Sequence, residues 1–93
     1  MDKKTEQALA LLYKGAMNIK SEDEAQMFFK TLFTEKETQL VAQRLYVAKL
    51  LDENKVYSEI VEETGASSAT VSRVKRAVAA DREYFDTLLK SLK

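Results

Sequence analysis

Apolar residues recur at three- and four-residue spacing along nearly the whole chain, the period of a helix that packs on one side. From about Thr5 to Ile19 the stripe is Leu9, Leu12, Tyr13, Ala16 and Met17. Ser21 with Glu24 then forms S-x-x-E, a capping box that opens a second helix reaching about Leu32, with Ala25, Phe28, Phe29, Leu32 and Phe33 as its apolar line. Thr34 with Glu37 forms a second box, T-x-x-E, ahead of a third helix to about Glu53, in which Leu40, Val41, Leu45, Ala48 and Leu51 are expected to face inward. A short helix is predicted over Tyr57 to Thr64 and a fifth over Ser68 to Ala80, with Ser67 as its cap. Gly65 stops the fourth helix, the usual place for a left-handed residue. Asp81 is expected to cap a sixth helix carrying Tyr84, Phe85, Leu88, Leu89 and Leu92. The pattern predicts an all-α domain of six helices with no linker or repeat.

Two short helices joined around Gly65 have the proportions of a helix-turn-helix, in which a three- or four-residue turn sets the pair at a steep angle. Val61 lies four residues before Gly65 and Val71 six after it. Ile60 and Val61 can face inward from the first helix, and Val71, Val74 and Val78 from the second. The second helix then presents Ser67, Ser68, Ala69, Thr70, Ser72, Arg73, Lys75 and Arg76 outward. Small residues at the start of such a helix let it enter a major groove closely. Arg73, Arg76 and Thr70 are the candidates for base contacts, and Ser67, Ser68, Ser72 and Lys75 for phosphates.

Charge sharpens this picture. The 93 residues carry no net charge, which argues against a nonspecific nucleic-acid binder. Residues 65–80 nevertheless hold Arg73, Lys75 and Arg76 and no acid, whereas residues 57–64 hold Glu59, Glu62 and Glu63 and no base. The basic segment is the one the motif would set on double-stranded DNA. The acidic helix favours a second reading, a protein-interaction module in which the helix pair meets another protein rather than DNA.

Composition narrows the remaining classes. Cysteine and histidine are both absent, so there is no disulfide framework, no thiolate metal site and no imidazole base. Glu62–Glu63 and Asp23–Glu24 are adjacent on helices and point about 100° apart, so they do not converge on a substrate. An enzyme is therefore not expected. No apolar run approaches the roughly 20 residues of a membrane span, and MDKKTEQ lacks the apolar core of a signal peptide, so a cytoplasmic protein without membrane contact is expected. A single 93-residue chain has little core for so many Phe and Leu side chains, which points to a second copy covering helices one to three and helix six.

From Phe33 to Asp81, in FTEKETQLVAQRL and then EETGASSATVSRVKRAV, the chain resembles the Trp repressor family, specifically its Trp-repressor-related branch in Gram-positive bacteria. The resemblance is weaker over helices one, two and six, where helix count and length match. It implies an intertwined homodimer. Residues 1–56 and 81–93 would form the shared core of one domain, and residues 57–80 the DNA-reading head of a transcriptional repressor. It also implies a corepressor pocket. Thr34 matches the family's pocket threonine, Arg44 the arginine against the indole, and Arg73 the arginine that pairs with the carboxylate. Val74, however, stands where the family has a glycine lining the indole slot, and Ala77 where it has a contacting serine. A valine fills space the ring needs, so no cofactor is expected and tight tryptophan binding is not.

Arg44 draws notice without the family, because Leu40, Val41, Leu45 and Ala48 surround it at helical spacing. It either snorkels or pairs with a glutamate, or it forms with Arg73 a pocket for a small anionic effector.

Overall fold

A computed structural model describes residues 1–93. It contains six α-helices and no strand: α1 (Lys3–Met17), α2 (Glu22–Leu32), α3 (Glu35–Asp52), α4 (Tyr57–Thr64), α5 (Ser68–Ala80) and α6 (Arg82–Ser91). No helix is long and apolar enough to cross a membrane. The chain divides into two compact units, Met1–Thr38 and Gln39–Lys93, with the boundary inside α3.

In the first unit the helix starts are set by side chains. The Asp2 carboxylate accepts from the Thr5 amide at 2.8 Å, and the Ser21 hydroxyl accepts from the Glu24 amide at 3.1 Å. α1 therefore begins at Lys3, two residues before the expected Thr5. Thr34 and Glu37 make the full reciprocal box. The Thr34 hydroxyl accepts from the Glu37 amide at 3.1 Å, and the Thr34 amide donates to Glu37 Oε1 at 2.7 Å. Where α1 and α2 meet, a Cβ on Gly15 would lie 3.1 Å from the Phe28 ring, so glycine permits the close approach. Phe28 and Phe29 pack edge to face at 5.9 Å, and Phe29 and Phe33 lie 5.0 Å apart.

The predicted stripe of α1 needs correction. Leu9, Leu12, Gly15 and Ile19 are the half-covered line, while Tyr13, Ala16 and Met17 are exposed. No residue of α1 or α2 is fully buried.

The second unit holds the core. Val47, Ala48 and Leu50 of α3 pack with Ile60 of α4, Ala66 of the turn, and Val71, Val74 and Val78 of α5. Leu51, Val61 and Phe85 lie against this cluster. The inward face of α3 is thus not the expected one. Leu40, Val41 and Leu45 are exposed, Ala48 is buried and Leu51 half-buried. Two apolar lines run down α3, and the one through Val47 and Leu50 meets the helix pair.

The C-terminus of α3 closes in a Schellman motif: Asn54 takes a left-handed conformation (φ 61°), its amide donates to the Leu51 carbonyl, and the Lys55 amide donates to the Leu50 carbonyl. Asp81 is the residue before α6, but its side chain makes no capping hydrogen bond, and its φ of −123° and ψ of 45° fall outside the extended cap geometry.

Candidate nucleic-acid interface

The turn between α4 and α5 is built by three residues. Gly65 has φ +74°, a conformation that costs other residues with a Cβ about 1–2 kcal/mol. Its amide donates to the Val61 carbonyl at 2.9 Å. Thr64 stitches both sides: its hydroxyl donates to the Ile60 carbonyl at 2.7 Å and accepts from the Ala66 amide at 3.1 Å. Ala66 is buried, and its small side chain lets the turn sit down on the core. Gln43 of α3 pins the end of α4 by donating to the Thr64 carbonyl at 3.2 Å.

α5 starts cleanly. The Ser67 hydroxyl accepts from the Thr70 amide at 3.1 Å and lies 3.1 Å from the Thr70 hydroxyl. Ser67 therefore acts first as the helix cap, and its hydroxyl also hydrogen-bonds that of Thr70. The Val71 amide bonds the Ser67 carbonyl, which leaves the first amides of the helix, Ser68 and Ala69, without intrahelical partners.

Successive residues on a helix advance by about 100°, and this sorts the predicted site residues. Val71, Val74 and Val78 are buried on one side. Opposite them Ala69, Arg73 and Arg76 form an exposed ridge, with half-buried Ser72 beside it. Half-buried Thr70 flanks that ridge on one side, and exposed Ser68 and Lys75 flank it on the other. Arg73 and Arg76 enter no ion pair; the chain's side-chain ion pairs are Lys49–Glu53 at 3.5 Å and Arg82–Asp86 at 3.3 Å. Lys75 leans away from the ridge, its ammonium 5.7 Å from the centroid of the Tyr57 ring.

The acidic residues belong to α4, not to this ridge. Glu59, Glu62 and Glu63 are exposed, and Tyr46 of α3 donates to Glu63 Oε2 at 3.3 Å. Gln43, Tyr46, Thr64 and Tyr57 all support the head, and sequence reasoning passed over them. Thr64 alone carried a signal, a hydroxyl one residue before a helix-ending glycine.

The corepressor positions fare differently. Thr34 spends its hydroxyl on the capping box. Arg44 is exposed and makes no ion pair, so the glutamate partner considered for it is not realised. Val74 is 6% exposed and part of the core. Ala77 is exposed.

Comparison with known proteins adds three findings. The family model described as "Trp repressor protein" matches residues 7–93. An uncharacterized protein of Bacillus subtilis, YerC, is 39% identical over 93 residues, spanning all of this chain and 89% of its own length. The crystal structure of a TrpR-like protein from Eubacterium eligens superposes with a TM-score of 0.87 at 38% identity, covering 92% of this chain and 89% of the other.

Proposed function

This chain belongs to the Trp repressor family, and from that premise we propose that it is a sequence-specific DNA-binding transcriptional regulator, a repressor acting as a homodimer. The observation that carries the proposal is the acid-free ridge of α5. Ala69, Ser72, Arg73 and Arg76 project from a helix whose opposite side is locked by three buried valines, and neither arginine has an acidic partner. Small residues at the helix start allow close entry into a major groove, and arginines can reach guanine edges or phosphates. Thr70, held by Ser67, and the free amides of Ser68 and Ala69 suit backbone and base-edge contacts.

Dimerisation is supported by what the single chain leaves uncovered. No residue of α1 or α2 is fully buried, and Leu11 and Met17 are 72% and 83% exposed. Uncovered apolar surface on this scale marks an association face. The protein is read as working without tryptophan, because Val74 occupies core space where the family's pocket has a glycine. Arg44 and Arg73 remain the pair through which a small anionic effector could act. In this reading the protein works in the cytoplasm.

A protein-interaction module stays the second reading, favoured by the exposed Glu59, Glu62 and Glu63. Charge reversal separates the two. R73E with R76E should abolish binding to duplex DNA in a fluorescence-anisotropy titration while leaving the helical circular dichroism intact. Replacing the three glutamates by glutamine should strengthen or spare DNA binding. If the glutamate variant loses binding and the arginine variant keeps it, the DNA reading fails.

A further inference from the structure

Away from the ridge of α5 lies a cavity of about 360 Å³ between the end of α3, the start of α4, the C-terminal half of α5 and Arg82. Its apolar surface comes from Leu51, Val78, Ala79 and the Tyr57 ring. Its charged lining is Lys55, Lys75 and Arg82 against the single acid Asp52. A chain with no net charge thus concentrates positive charge around one concavity. Arg82 is engaged by Asp86 at 3.3 Å, but Lys55 and Lys75 have no carboxylate at ion-pair distance.

The backbone of Lys55 and the side chain of Lys75 each have a contact that positions them. The Schellman turn at Asn54 fixes the backbone of Lys55, at a position where that motif commonly carries an apolar residue. Lys75 sits over the Tyr57 ring at 5.7 Å. The helix that starts at Tyr57 also lacks a side-chain cap, because Val56 offers no oxygen to its first amides. Negative charge is favoured near such an end.

We propose that this cavity binds a small organic anion, a phosphate or carboxylate on a flat apolar body. Lys55 and Lys75 hold the charge, and Tyr57, Leu51 and Val78 take the body. The volume falls within the range of small-molecule sites. Neither Arg44 nor Arg73 lines the cavity. An occupant would claim Lys75, so it would compete with backbone contacts to DNA; that coupling, unlike the site itself, rests on the DNA-binding reading.

The test uses the full chain without DNA. Amide ¹H–¹⁵N shifts are followed during titration with phenyl phosphate, and separately with inorganic phosphate. Saturable shifts confined to residues 51–57 and 75–82 are expected, with tighter binding of phenyl phosphate than of inorganic phosphate. Lys55→Met and Lys75→Met, both at exposed positions, should each weaken binding by about tenfold. Three results would overturn the site: no saturation by about 10 mM, equal shifts at lysines throughout the chain, or unchanged affinity in both variants. Because DNA is absent, failure here leaves the DNA reading standing, and failure of DNA binding leaves this result interpretable.

Discussion

Gly65 and Ser67 decide, two residues apart, whether the fourth and fifth helices meet at the right angle. The φ of +74° at Gly65 is the strained element, because a Cβ there would meet nothing nearer than Gln43 Nε2 at 4.0 Å. Gly65→Ala should therefore cost about 1–2 kcal/mol through backbone conformation alone, and Gly65→Asn less, since asparagine visits that region more readily. Urea unfolding checks the order Gly, Asn, Ala; equal loss in both variants would point to a clash instead. Ser67→Ala should cost about 1 kcal/mol as a lost cap. It should also release Thr70, so a base-contact role for Thr70 predicts a loss of DNA affinity beyond the loss of stability. Both residues were legible in the sequence, because glycine and serine at helix ends have fixed backbone meanings. Thr64 and Gln43 were not, since their hydrogen bonds depend on where α3 lies. Val74 is buried in the core. Its burial predicts that calorimetry will find no micromolar tryptophan site, and a site of that strength would contradict the placement of its side chain.

At the level of elements, the helix limits near the candidate interface were the most legible part. α4 and α5 fall where turn chemistry puts them. The inward face of α3 was not legible. Its apolar residues run on two sides, and periodicity cannot tell the line meeting α4 and α5, through Val47 and Leu50, from the line left exposed, through Leu40, Val41 and Leu45. The start of α3 carries a pH prediction. The Thr34 amide, and after it the Thr34 side chain, hold the Glu37 carboxyl below its ordinary value of 4.5. A carboxyl with a lowered native value stabilises the fold above its unfolded value, and the contribution is lost as pH falls through the native one. The advantage of the native chain over Glu37→Gln in thermal melts should accordingly shrink as pH falls below the ordinary value of 4.5, whereas a constant gap would contradict the box. On α5, Lys75→Ala should reduce the salt slope of DNA binding by about one without changing the preferred sequence. Arg76→Ala should cost about 1–3 kcal/mol and relax preference at one position if it reads a base.

For the whole molecule, the exposed apolar side chains of α1, α2 and α3 are the feature a single chain leaves unexplained. Light scattering at micromolar concentration should give twice the 10.6 kDa of one chain. Met17→Glu should shift the population toward monomer, and a monomeric mass for the native chain would remove the basis for a two-fold operator. Net charge of zero predicts weak nonspecific binding, so recognition should rest on few contacts. The most direct test is selection of bound sites from random-sequence duplex DNA, with purified protein, no added ligand and about 100 mM salt. The account predicts enrichment of a two-fold symmetric motif with half-sites about ten base pairs apart, lost in the R73E/R76E variant. No enrichment over that variant would contradict it.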